Sequence, residues 1–93
     1  MRKHGRVDAN HRDVVAALRQ AGAFVQSVAD VGNGCPDLIV AYHGRIFLIE
    51  VKTGAGKLTA DEAAWVAEFE RIGGVPVHIV RSAEDALRTV GAI

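Results

Sequence analysis

Apolar positions along the chain fall into two kinds of period. Val14, Val15, Leu18 and Ala21 recur at helical spacing, so a first helix is expected from a cap at Asp8 to about Ala21, closed by Gly22. Ala23 to Val28 then reads as a strand, and residues 29–36, ADVGNGCP, hold two glycines and a proline and form a loop ending at Asp37. From Asp37 to Tyr42 and from Arg45 to Lys52 the chain is rich in Ile, Leu, Val and aromatics, with His43-Gly44 between, which predicts a β-hairpin. After the loop TGAGK, Thr59-Ala60-Asp61-Glu62 is a capping box opening a helix with Ala63, Trp65, Val66 and Phe69 inward, ending near Gly73-Gly74. Val75 to Val80 reads as a strand that Pro76 confines to an edge or a strand start, and Ser82 caps a last short helix to about Val90. The expected order is helix, three strands, helix, strand, helix: an α/β fold with a mixed central sheet flanked by helices.

Length and composition narrow this picture. Ninety-three residues support one domain, with residues 1–7 expected as a flexible basic arm. Apolar residues make up 49% and charged residues 24%, which excludes a largely disordered chain. Eleven basic residues balance eleven acidic ones, so bulk charge selects no partner. The signs are unevenly spread, however: Arg2, Lys3, His4, Arg6, His11 and Arg12 crowd the start, where they either track phosphates or form a solvated stretch. A single cysteine, Cys35, excludes an internal disulfide and a thiolate-cluster zinc site and fits a reducing compartment. No apolar run is long enough to span a bilayer, and no signal-peptide core follows the N-terminus, so a soluble cytoplasmic protein without a membrane partner is expected.

Candidate chemistry lies at the ends of the hairpin. A two-residue turn at His43-Gly44 sets Tyr42 opposite Arg45, Val40 opposite Phe47 and Asp37 opposite Glu50. Lys52, two residues beyond Glu50, shares its face. Two carboxylates this close repel, which a chain selected for stability alone would avoid; the competing reading is an ordinary salt bridge to Lys52 at a strand end. Hard cations such as Mg2+ or Mn2+ take carboxylate and carbonyl oxygens, so Asp37, Glu50 and the main-chain carbonyl of Val51 are candidate metal ligands. Lys52 then orients or activates water and offsets charge in the transition state, which is the chemistry of phosphodiester hydrolysis.

Pro36-Asp37, followed thirteen positions after Asp37 by Glu50-Val51-Lys52, resembles the PD-(D/E)XK signature of restriction-endonuclease-like nucleases. The expected element order also resembles their αβββαβ core. More narrowly, the Gly32-x-Gly34-x-Pro36-Asp37 string, the hairpin, the Glu-Val-Lys and the Leu58-Thr59 helix start are similar to the VRR-NUC group, above all its stand-alone phage-type members. The resemblance runs from about Asp8 to Leu87. It implies a Mg2+- or Mn2+-dependent DNA endonuclease, with Asp37 and Glu50 as metal ligands and Lys52 as the catalytic lysine. It further implies a homodimer resembling Holliday-junction resolvases, acting on branched or duplex DNA in the cytoplasm of a bacterial or phage-infected cell, in repair or recombination.

Two positions depart from the family pattern. An acid is often found on the first helix; Asp8 is the candidate here, with Asn10 and His11 also facing inward and Asp13 facing away. Glu62 stands where relatives commonly have glutamine, and its capping role accounts for it without catalysis. Lys57, His11 and Arg12 are candidate phosphate contacts, each weighed against a plain surface role. The TGAGK loop lacks the full phosphate-loop pattern, which argues against a nucleotide site. The rival reading is a non-catalytic nucleic-acid-binding module that retains the fold; an RNA nuclease is a third.

Overall fold

The computed structural model describes residues 9–93; the expected arm and the Asp8 cap lie outside them. The elements run α1 (Ala9–Gln20), β1 (Phe24–Ser27), a short 3-10 turn at Ala29–Val31, β2 (Leu38–Tyr42), β3 (Arg45–Val51), α2 (Ala60–Gly73), β4 (Val77–Val80) and α3 (Ala83–Val90). They form one four-stranded sheet in the order β1-β2-β3-β4. The first two pairings are antiparallel and β3-β4 is parallel, so the α/β architecture with a mixed sheet is as expected. Among the described residues no helix is long and apolar enough to cross a membrane.

The hairpin sets the register of everything else. His43 and Gly44 both adopt positive φ, 48° and 81°, the pattern of a type I′ turn whose twist matches that of the strands. Val40 therefore pairs with Phe47 and Leu38 with Ile49. One face of the sheet packs its Val25, Leu38, Val40, Phe47, Ile49 and Val80 against Val14 and Leu18 of α1 and Ala86 and Val90 of α3. Leu18, Leu38, Ile49, Val14, Val40 and Val80 are fully buried, each contributing roughly 1.5–3 kcal/mol of transfer free energy.

The opposite face is less well covered. Side-chain alternation gives it Ile39, Ile46, Leu48, Glu50 and Ile79, of which Ile39, Ile46 and Ile79 remain exposed. The sequence expectation for α2 needs correction here, because packed among the described residues this helix buries none of its side chains. Val66, Trp65 and Phe69 are half-buried and Ala63 is exposed. The helix is held by its ends instead. Thr59 and Glu62 complete the capping box, Gly74 closes the C-terminus in the left-handed conformation, and the Glu70 carboxylate accepts the Val77 amide at 2.8 Å.

Candidate active site

Asp37 reaches its place through a tight loop whose closest approach to α2 is at Gly34. Gly32, Asn33 and Gly34 all have positive φ, and a Cβ on Gly34 would overlap the carbonyl oxygen of Asp61 in the first turn of α2. Pro36 is fully buried. The Asp37 backbone is tied on both sides, its amide to the Ile49 carbonyl at 3.1 Å and its carbonyl to the Val28 amide at 2.8 Å. Its Oδ2 accepts the Val51 amide at 2.8 Å. Asp37 thus sits one residue before β2, across from Glu50, near the place that hairpin pairing assigned to it.

Glu50 is 3% exposed, an unusual burial for a carboxylate. Its pKa is pushed from the ordinary 4.5 up to about 8, first by burial and then by the neighbouring charges of Asp37 and Glu62, with Lys52 opposing. Asp37 is also raised by burial, held back by the Val51 amide and by His11. Lys52 lies 3.4 Å from Glu50 and 2.7 Å from Glu62. Burial pulls its pKa down, but the Glu62 hydrogen bond and the Glu50 charge outweigh this and raise it. Lys52 therefore remains an ammonium. Glu62 is lowered despite its burial, because it accepts from both Lys52 and the Thr59 amide.

These groups line a cavity of about 590 Å³ together with His11, Cys35, Gly32, Gly34, Thr59 and Asp61. Burial, then Asp37 and Glu50, push the Cys35 thiol pKa up, so it is not the thiolate a nucleophile needs. His11 is buried at the junction with a second groove along α1 that holds Arg12, Val15, Ala16, Arg19 and Ser27. Asp37, Glu50, Val51, Lys52 and His11 are thus brought together, Arg12 lies in the adjoining groove, and Lys57 sits on the exposed loop without lining the cavity. Asp8 falls outside the described residues.

Three residues do work that sequence reasoning assigned differently or not at all. Glu62 caps α2 as expected, yet the same Oε1 also holds Lys52, more closely than Glu50 does. Asn10 donates from Nδ2 to the carbonyls of Lys52 and Arg81, at 2.9 and 3.2 Å, and so joins α1 to the ends of β3 and β4 rather than facing the acids as a ligand. Arg81 donates to the carbonyls of Gly54 and Gly56, at 2.8 and 2.7 Å, and pins the loop after Lys52. The capping-box pattern announces Glu62; no local pattern announces the other two.

The site places Glu50 and Glu62 beside one lysine with Asp37 across from Glu50; Glu62 is taken up by Lys52 and the Thr59 amide, so Asp37 and Glu50 are the carboxylates that could hold a hard cation. Among the described residues no group of three or more His, Cys, Asp or Glu side chains is arranged to hold a metal ion. Two carboxylates completed by water and substrate oxygens are, however, the usual protein share for Mg2+. No family model, no curated protein and no solved structure matches the chain.

Proposed function

We propose that this protein is a divalent-metal-dependent endonuclease that hydrolyses DNA phosphodiester bonds, built on a restriction-endonuclease-like core of the VRR-NUC type. The observation that supports this most directly is the convergence of Asp37, Glu50 and Lys52 in one solvent-reaching cavity, with Glu50 buried beside two further acids. Without metal, burial and the neighbouring acids keep the Glu50 proton on up to about pH 8; a cation held by Asp37 and Glu50 would favour the ionised carboxylate instead. Asp37 and Glu50 would hold Mg2+ or Mn2+, with the Val51 carbonyl beside them; when bound, the ion supplies Lewis acidity and offsets charge building on the phosphate.

The chain's own residues account for the rest. The Val51 amide and the hairpin register fix the Asp37 carboxylate. Glu62 holds the Lys52 ammonium, which carries three donors; Glu62 takes one and Glu50 approaches another, leaving capacity for a phosphate oxygen or the attacking water. As an ammonium, Lys52 orients and stabilises; it does not act as a base. His11 at the mouth of the α1 groove and Arg12 within it offer contacts for the flanking phosphates. Branched DNA such as a Holliday junction is the substrate that the family resemblance favours.

One observation favours the rival, a non-catalytic nucleic-acid-binding module: Asp37 and Lys52 already have partners within the chain. The test is cleavage of a four-way junction, a linear duplex and an RNA with magnesium, manganese or chelator, alongside Glu50→Gln and Lys52→Ala. Metal-dependent cutting lost in both variants supports the proposal. Binding without cutting supports the rival, cutting of RNA alone changes the substrate, and cutting unchanged in both variants refutes the assigned site.

A further inference from the structure

A groove of about 620 Å³ runs along the outer face of α2, away from the buried acids. Ala64, Trp65, Phe69 and Ile72 give it apolar walls, and Asp61 and Glu68 border it. Trp65 and Phe69 stack there with ring centroids 5.1 Å apart, and Ile72 is 70% exposed. A helix of 14 residues that buries none of its side chains lacks the packing from which most helical stability comes. Contiguous apolar surface of this kind marks an interface.

We infer that this groove receives a basic amphipathic helix of a different protein. Trp65, Phe69 and Ile72 stand at i, i+4 and i+7, the spacing at which one helix lays an apolar stripe against another. Asp61 and Glu68, at i and i+7, lie two turns apart, about 10 Å along the axis. The Asp61 carboxylate has no partner among the described residues. Glu68 holds Arg71 at 2.6 Å, but that pair is exposed and therefore weak, and an incoming cation can replace it. Lysine or arginine side chains two turns apart on the bound helix would meet both acids. Leucine-like side chains between them would cover the two rings and Ile72.

Other occupants fit less well. The bordering acids repel nucleic acid and anionic lipid. A second copy of α2 would bring the same acids against them, with Arg71 already engaged as its one base. Residues 1–8 carry basic charge but offer just Met1 and Val7 as apolar side chains. The zero net charge of the chain conceals a division of labour between its helices. Arg12 and Arg19 line the groove on α1, across the sheet from α2, so phosphates and a basic helix have separate surfaces. Asn33 and Asp61 line both the acid cavity and the α2 groove, so a bound helix would stand at the rim of the candidate active site.

The inference is independent of the nuclease reading, because its test reads binding and not cleavage. The probe is a synthetic tryptophan-free helix of leucine and lysine, with leucine at i, i+4 and i+7, titrated into the full chain in chelator. Emission from Trp65, the one tryptophan, should shift to the blue as the indole is covered, with a Kd of about 10 μM. The same helix with glutamate in place of lysine should bind about tenfold more weakly or worse. Ile72→Ser, at an exposed position, should weaken binding of the lysine helix about tenfold, and Asp61→Asn about threefold, with circular dichroism unchanged in both. Unchanged emission, equal binding of the two helices, or unchanged affinity in either variant would each overturn the inference. So would light scattering that finds the free protein at twice the 9.9 kDa protomer mass and Ile72→Ser at the protomer mass, because a second copy would then fill the groove.

Discussion

Replacing Glu50 by glutamine should make the metal-free protein more stable, and increasingly so as pH rises. The Glu50 carboxyl has a pKa of about 8 in the fold, against 4.5 in its ordinary setting, chiefly because it is buried. A carboxyl raised in this way binds its proton more tightly when folded. Its contribution is fully present below about 4.5 and is lost as pH climbs towards 8. At about 1.4 kcal/mol per pH unit, the wild type forfeits at most about 5 kcal/mol across that interval. Relaxation of Lys52 and Asp37 around the ionised acid should reduce this to about 2–3 kcal/mol, still a large part of the 5–15 kcal/mol typical of a whole domain. Glutamine has the shape of the protonated acid and never ionises. Urea denaturation of both proteins in chelator, from about pH 5 to about pH 8, should therefore give curves that diverge in the variant's favour. Added Mg2+ or Mn2+ should close the gap from the wild-type side at the alkaline end, because ligand binding to the folded state stabilises it. Stability curves that remain parallel within about 0.5 kcal/mol would refute the reasoning, since Glu50 would then not be desolvated as its burial requires.

Further predictions concern how the site is supported. Gly34→Ala, with φ at 86° and a Cβ driven into the Asp61 carbonyl, should cost about 2–3 kcal/mol in urea unfolding; a loss under about 0.5 kcal/mol would mean that α2 does not press on that loop. Glu62→Gln preserves the capping box, so stability should move by less than about 1 kcal/mol while turnover falls about tenfold or more through a displaced lysine. Full activity in that variant would reduce Glu62 to a cap. Asn10→Ala leaves the carbonyls of Lys52 and Arg81 without their shared donor and should cost about 1–2 kcal/mol; an unchanged melting curve would show that water replaces the amide freely. Lys52→Met removes the cation from among three acids and should destabilise the metal-free protein by about 3 kcal/mol, largely recovered by lowering the pH; a loss that persists in acid would assign the effect to packing.

The two-residue turn, the register of β2 on β3 and the grouping of Asp37, Glu50 and Lys52 were all legible in the sequence. Each depends on interactions within a few residues or on strict alternation along a strand, which tertiary packing rarely overrides. The caps at Thr59 and Ser82 belong with them, because a cap is settled by four neighbouring residues. Tertiary structure alone decided what those elements meet. Asn10 finds the carbonyl ends of β3 and β4 more than forty residues away, and nothing in its own helix distinguishes that contact from a turn towards the acids. Glu62 is announced as a cap, but its second partner depends on where the first turn of α2 lands, and the missing Cβ of Gly34 permits that landing. Periodicity in α2 marked Trp65, Val66 and Phe69 as apolar and so as inward. A period shows that a face seeks cover, not which surface provides it, and within this chain that face stays half open.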